Sequence, residues 1–378
     1  MKILFSGGGT GGHFYPIIAV AEAINDIVEK EKLVGVKLYF MSDAPYDERL
    51  LFENGITFKK TTAGKLRRYF SFRNYFVDPF KTLWGIMLAT WKMFWLYPDV
   101  VFGKGGYASF PAVCAARILR IPIFLHESDS IPGRVNLKAG HWGITKRIAV
   151  SYPEALNYFP EEKTAVTGNP IRKDLLEPIT KGSYEYFGLE KDVPIIFVTG
   201  GSQGAMNIND VIVDALPDLI EKYQIVHQTG KNNFDEISKR ASFLLEKNPL
   251  KNRYKSMAYL DETALKMIAG SASLVISRAG SSIFEIAAWG IPSIIIPIPE
   301  EISRDQRKNA FAYARVSNAT VLEERNLSSS ILTSEINRIL ENPKIVADMR
   351  NGALKFGSKD AAVKIATELI RMGLEHER

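Results

Sequence analysis

The sequence predicts an α/β protein built from two doubly wound domains that face each other across a cleft. Three observations carry this. Short apolar runs alternate with helical patterns, glycine-rich loops follow three of those runs, and a proline-bearing stretch interrupts the alternation near the middle. At 378 residues the chain is too long for one ordinary core. Apolar residues make up 46%, charged residues 24% and aromatic residues 11%, a composition that excludes disordered, collagen-like and coiled-coil chains.

In the first half, apolar runs predict strands at Lys2–Ser6, Val36–Met41, Val100–Phe102, Ile121–Leu125 and Arg147–Ser151. The second half offers Ile195–Thr199, Gln224–Gln228, Ser256–Leu260, Leu274–Ser277 and Ser293–Ile298. Helical patterns lie between most of them, as at Ile17–Glu29, where Pro16 is expected in the first turn, and at Met206–Glu221. Pro153, Pro160, Pro170 and Pro178 thin out the strand pattern and place a boundary near Thr164–Asn169. The expected domains are therefore 1–164 and 165–358, with 359–378, helical from Asp360 to Arg371, crossing back to the first domain.

Net charge is +6, which favours acidic partners without choosing among phosphates, anionic lipid and nucleic acid. The single cysteine, Cys114, cannot form an internal disulfide and fits a reducing cytoplasm. Met1 runs straight into a strand, with no signal-peptide pattern. Lys65, Arg67, Arg68 and Arg73 crowd beside Tyr69, Phe70, Phe72, Tyr75 and Phe76, and an apolar segment from Leu83 to Tyr97 follows. The uninterrupted apolar run is too short to span a bilayer, which takes about 20 residues. It reads as a helix partly in the core and partly at a membrane headgroup zone. Nucleic-acid binding is not expected, since the basic residues flank this apolar helix and form no recognisable module.

Glycine loops carry the strongest signals. Ser6-Gly7-Gly8-Gly9-Thr10-Gly11-Gly12-His13 directly follows the first strand. Gly103-Lys104-Gly105-Gly106-Tyr107 follows a second, and Thr199-Gly200-Gly201-Ser202-Gln203-Gly204-Ala205 opens the second domain. Such loops let backbone approach a ligand closely, and the helix N-termini behind them favour anions. A dinucleotide dehydrogenase is disfavoured because no convincing acidic residue ends the second strand. No loop ends in the Lys-Ser/Thr of an ATP-hydrolysing site, no Gly-x-Ser-x-Gly elbow stands in a hydrolase context, and no metal-ligand spacing or Asp-x-Asp pair appears. Polar candidates at strand ends are His13, His126 with Glu127 and Asp129, Asn169 with Arg172, Ser202, Glu285, and Asp305 with Gln306.

In order along the chain, Gly8-Gly9-Thr10-Gly11-Gly12-His13, Gly105-Gly106-Tyr107 with Pro111, His126-Glu127, Thr167-Gly168-Asn169-Pro170-Ile171-Arg172, Gly200-Gly201-Ser202-Gln203-Gly204-Ala205, His227-Gln228-Thr229-Gly230, Ser277-Arg278-Ala279-Gly280 and Asn309-Ala310 resemble the blocks of the MurG family. These are peptidoglycan transferases that add N-acetylglucosamine to a lipid-linked muramyl-pentapeptide. The resemblance implies a GT-B fold and an inverting transfer from UDP-N-acetylglucosamine without a metal or other cofactor. It implies that Arg172 and Ser202 meet the UDP diphosphate, Asn169 lies beside them, Leu260 contacts uracil through its backbone, Glu285 holds the ribose and Gln306 reads sugar hydroxyls. Thr10, Gly11 and Gly12 would line the catalytic cleft, with His13 as base. Gly105, Gly106, Tyr107, His126 and Glu127 would bind the acceptor. The implied partners are UDP-N-acetylglucosamine, the polyprenyl-diphosphate-linked muramyl-pentapeptide, an anionic membrane surface and other cell-wall synthesis proteins. The implied location is peripheral, on the cytoplasmic face of the plasma membrane.

The sequence departs from that pattern in three places. The family's His-Glu-Gln-Asn block reads His126-Glu127-Ser128-Asp129, which makes Asp129 a second candidate base. One residue fewer than the pattern separates Gly280 from Glu285, and likewise Asp305 from Asn309. Three rival readings remain at this point: another GT-B glycosyltransferase acting on a different lipid or small-molecule acceptor, a UDP-sugar epimerase, and a peripheral membrane scaffold with a degenerate nucleotide pocket.

Overall fold

A computed structural model describes residues 1–64, 77–201, 204–302 and 304–376, apart from the side chains of Arg304 and Asp305. The chain divides into two units, Met1–Lys173 with Lys359–Arg378, and Asp174–Ser358.

The first unit is wound on a seven-stranded parallel sheet of order β3-β2-β1-β4-β5-β6-β7. Its strands are β1 (Lys2–Ser6), β2 (Lys37–Ser42), β3 (Ile56–Lys60), β4 (Val100–Gly103), β5 (Ile123–Glu127), β6 (Thr145–Val150) and β7 (Thr164–Val166). The inner strands are buried on both faces, as parallel strands covered by helices must be, so they read as unbroken apolar runs. Edge strands β3 and β7 are partly exposed and carry no such run, which is why the sequence pattern misses both.

Strand β7 also moves the expected boundary. It pairs with β6 (Ile148 with Thr164, Val150 with Val166), so residues 165–173 stay with the first unit instead of opening the second. The helix Ala361–His376 returns to this unit, packing Ile365 and Leu369 with Ile17, Val20 and Ile24 of the helix Gly11–Glu31. That first helix starts earlier than its apolar pattern suggests. Thr10 is extended and its carbonyl accepts from the His13 and Phe14 N–H groups, so Pro16 falls in the second turn and not the first.

The helix Asp78–Leu96 turns Gly85, Ala89 and Met93 inward. At Gly85 a Cβ would lie 1.8 Å from the Thr62 carbonyl oxygen, so only glycine permits this approach. Its other face leaves Phe80, Trp84, Met87, Trp91, Phe94 and Trp95 exposed. The segment is thus a surface helix with a small buried stripe. Among the described residues no helix is long and apolar enough to cross a membrane. Arg67, Arg68 and Arg73 lie outside the described residues.

The second unit is wound on a six-stranded parallel sheet of order β10-β9-β8-β11-β12-β13. Its strands are β8 (Ile195–Thr199), β9 (Gln224–Gln228), β10 (Tyr254–Met257), β11 (Ala272–Ser277), β12 (Ser293–Ile295) and β13 (Thr320–Val321). Ile196, Val198, Ile225, Leu274, Ile276 and Ile294 face one buried cluster, and Phe197, Val226 and Val275 face another.

Candidate active site

The first unit gathers its polar residues where β1, β4 and β5 end. After β1, Gly8 and Gly9 take φ of 123° and 84°, which L side chains rarely adopt. A Cβ on Gly9 would come within 2.7 Å of the Tyr107 ring, so the first loop lies directly against the second. Gly106, at φ 78°, faces the His13 ring: a Cβ there would sit 3.0 Å from Cδ2. Behind the loop, Gly11, Gly12 and His13 form the first helical turn, in which the His13 N–H donates to the Thr10 carbonyl and the Gly11 and Gly12 N–H groups have no intrahelical acceptor.

Between Gly103 and Gly105, Lys104 points inward and is fully buried. Its Nζ has no hydrogen-bond partner. Burial pushes the ammonium down to about 8, with Glu127 and then Asp129 pulling the other way. Glu127 accepts from the Asp129 N–H, the Gly133 N–H and Asn136 Nδ2, each at 3.0 Å. Burial, and after it the Asp129 charge, pushes its carboxyl up to about 7.

The two histidines here are neutral at pH 7. His13 is half-buried, but its Nδ1 is sealed from solvent without a partner. Desolvation, and after it Lys104, lowers its pKa to about 3. His126 donates from Nε2 to the Gly168 carbonyl at 3.1 Å, which leaves Nδ1 as a sealed acceptor without a partner. Asn136 Oδ1 and Asn169 Oδ1 share that condition. Buried polar atoms normally find partners. His227 in the second unit does, with Tyr254 Oη and Asn209 Oδ1 both at 3.0 Å. The sealed, unpartnered atoms of His13, Lys104, His126, Asn136 and Asn169 all belong to the first unit.

The block Thr167–Arg172 belongs to the first unit. Thr167 N–H donates to Val150, Gly168 receives His126, and the Arg172 guanidinium lies 4.9 Å from the centroid of the Tyr15 ring. Sequence reasoning, led by the proline-rich stretch, placed these residues in the other domain.

In the second unit Gly201, after β8, has φ 87°, and its carbonyl accepts from Gln228 Nε2 at 3.3 Å. Gly204 sits where a Cβ would come 2.1 Å from the Thr229 carbonyl oxygen. Gln228 Oε1 accepts the Leu260 N–H at 3.0 Å. Glu285 is half-buried in the first turn of the helix Ser282–Trp289, and Gln306 Oε1 accepts the Ile298 N–H at 3.3 Å. Ser202 lies outside the described residues, as does the side chain of Asp305.

Comparison with known proteins identifies the family. Residues 3–143 match the glycosyltransferase family 28 N-terminal domain, and residues 195–365 match the C-terminal domain of the same family. A Clostridium botulinum (strain Hall) protein named UDP-N-acetylglucosamine--N-acetylmuramyl-(pentapeptide) pyrophosphoryl-undecaprenol N-acetylglucosamine transferase is 34% identical over 375 residues. The match covers 98% of each chain. The chain belongs to the MurG family of glycosyltransferases. The fold is shared with the crystal structure of Acinetobacter baumannii MurG, with a TM-score of 0.71 and 22% identity over 98% of this chain and 99% of that one. It is also shared with UDP-GlcNAc 2-epimerase from Neisseria meningitidis bound to UDP-GlcNAc, with a TM-score of 0.68 and 17% identity over 98% and 100% of the two chains.

The MurG-family blocks thus fall at strand ends of both units. Two residues escaped the sequence reading. A lysine in a glycine loop ordinarily reads as solvated, and only its nearness to Glu127 and Asp129 reveals Lys104. Asn136 carried no motif at all.

Proposed function

We propose that this protein transfers N-acetylglucosamine from UDP-N-acetylglucosamine to the C4 hydroxyl of the muramyl sugar of undecaprenyl-diphospho-muramyl-pentapeptide. The observation that carries the reading is the 34% identity, over 98% of both chains, to a transferase of that name. The acceptor oxygen forms its bond to the anomeric carbon as the bond to UDP breaks. UDP leaves with the electron pair, the configuration inverts, and the acceptor proton passes to a protein base.

His13 is the proposed base. It is neutral at pH 7 and lies beside the second glycine loop, at Gly106. Its depressed pKa makes it a weak base by itself, and anionic substrate groups raise the pKa of an imidazole. Asp129 orients the acceptor or the imidazole. Gly105, Gly106, Tyr107, His126 and Glu127 hold the acceptor, and Thr10, Gly11 and Gly12 offer a helix N-terminus to its negative charge.

On the donor side, Ser202, Asn169 and Arg172 serve the diphosphate, Glu285 the ribose and Gln306 the sugar. The Leu260 N–H is taken by Gln228, so its contact with uracil runs through the carbonyl. Helix N-termini and the guanidinium supply the positive charge, and the transfer runs without a divalent ion. The exposed stripe from Phe80 to Trp95, with the basic residues before it, seats the protein peripherally on the cytoplasmic face of the plasma membrane.

Incubation of the protein with UDP-N-acetylglucosamine, with and without a short-chain acceptor analogue, tests the reading. UDP release that requires the acceptor, with the acceptor gaining one N-acetylhexosamine in mass, supports it. Conversion of the nucleotide sugar to its 2-epimer without acceptor would establish the epimerase alternative.

A further inference from the structure

The first unit contains a cavity of about 820 Å³ that adjoins the proposed acceptor residues Gly106 and Tyr107. It lies among the helix Asp78–Leu96, the turn that follows Gly106, and the helix Arg134–Gly140. Its size falls within the roughly 300–1,000 Å³ of ordinary small-ligand pockets. Leu83, Ile86, Phe110 and Val135 give it a predominantly apolar wall. Three of its lining side chains are charged. Arg134 and Lys138 are exposed and one helical turn apart, while Asp78 is nearly buried.

Its position identifies the occupant. One wall is Gly106 and Tyr107, the same two residues that stand against His13 and the first glycine loop. Another part of the wall, Leu83 and Ile86, belongs to the helix whose outer face carries Trp84, Met87, Trp91 and Trp95 in contact with solvent. A ligand here would therefore have one end at the candidate acceptor site and the other at an exposed apolar surface. It would be apolar along its length and negatively charged where it meets Arg134 and Lys138.

We propose that this cavity holds the first isoprene units of a polyprenyl diphosphate. This rests on the acceptor reading given above and deepens it: the protein grips the proximal lipid chain itself, and the remainder stays in the bilayer. Chain length then becomes a determinant of acceptor affinity even without a membrane. Each methylene withdrawn from water tightens binding by roughly fourfold when fully buried. A series in which successive isoprene units enter the cavity should gain at least about tenfold before it levels off.

The test reads binding alone, by calorimetry, on the full chain without vesicles or detergent. The probes are inorganic pyrophosphate, isopentenyl diphosphate and farnesyl diphosphate, each below its aggregation limit. The expected result is a dissociation constant that falls at least about tenfold from isopentenyl to farnesyl diphosphate. In Ile86→Trp and Val135→Trp, whose indoles fill the space, that ratio should collapse toward one. UDP affinity and near-ultraviolet circular dichroism report whether the variants are folded. Equal affinity for all three probes in the unsubstituted protein would overturn the proposal without recourse to any variant. A chain-length ratio that survives both substitutions in folded protein would overturn it too, and would place the chain on the exposed helix face. Because no turnover is measured, failure of the transfer reaction would leave this result standing, and a flat series would remove the cavity assignment alone.

Discussion

Replacing Lys104 by methionine keeps an unbranched side chain, one atom shorter, and removes a fully buried ammonium. The displacement of its pKa from an ordinary 10.5 to about 8 corresponds to roughly 3 kcal/mol by which folding disfavours the charged form. The sign follows from proton counting. Between pH 8 and 10.5 the unfolded chain still binds this proton and the folded chain has released it, so stability rises with pH across that window and is lower below it. The methionine variant should lose that rise. At pH 7 it should be more stable than the parent by about 1 to 3 kcal/mol, the lower figure applying because Glu127 loses a stabilising neighbour. In a domain of this size each kcal/mol moves the melting temperature by roughly 2–4 °C. Turnover should move the other way, because the ammonium acts on Glu127 and Asp129 of the proposed acceptor site; a loss on the scale of one charge-assisted contact, about 1.5–3 kcal/mol, is roughly ten- to a hundredfold. Denaturant unfolding followed by circular dichroism from pH 7 to 10.5, alongside acceptor kinetics, measures both. A variant less stable at pH 7, or one that keeps the rise between pH 8 and 10.5, would refute the buried-ammonium argument.

Other consequences can be checked directly. His13→Ala should lower kcat by about 10²–10⁴-fold with UDP affinity nearly unchanged, whereas Asp129→Asn should be mild; the opposite pattern of rates exchanges the two roles. UDP should bind in excess EDTA, and calorimetry showing affinity only with added magnesium or manganese would contradict metal-free donor binding. Arg172→Ala should weaken UDP binding more than Arg172→Lys, since only the first loses the charge, and unchanged affinity in the alanine variant removes this residue from the diphosphate. The protein should co-sediment with anionic vesicles, less so in high salt and less so after Trp91→Ser with Phe94→Ser; salt-independent binding to neutral vesicles would contradict the electrostatic part.

The strands most legible in the sequence are those whose surroundings force one composition. Ile195–Thr199 and Gln224–Gln228 are buried throughout and were readable to the residue. Thr320–Val321 and Thr164–Val166 are short and partly exposed, and their identity as strands depends on the neighbour each pairs with. Missing the second of these moved the domain boundary and carried Asn169 and Arg172 into the wrong unit. The glycine loops were legible because positive φ and close backbone approach leave little choice of residue at Gly9, Gly106 and Gly204. Lys104 was not, because its burial is a product of three strand ends converging, and no local pattern encodes that.

Whether the protein builds a new glycosidic bond between two specified sugars is read from the product itself. Nuclear magnetic resonance of the disaccharide made from UDP-N-acetylglucosamine and a short-chain acceptor analogue reads both linkage and configuration. The expected product carries a β-linked N-acetylglucosamine on the C4 oxygen of the muramyl sugar. An α-linkage, attachment at another oxygen, or free N-acetylglucosamine with unmodified acceptor would contradict it.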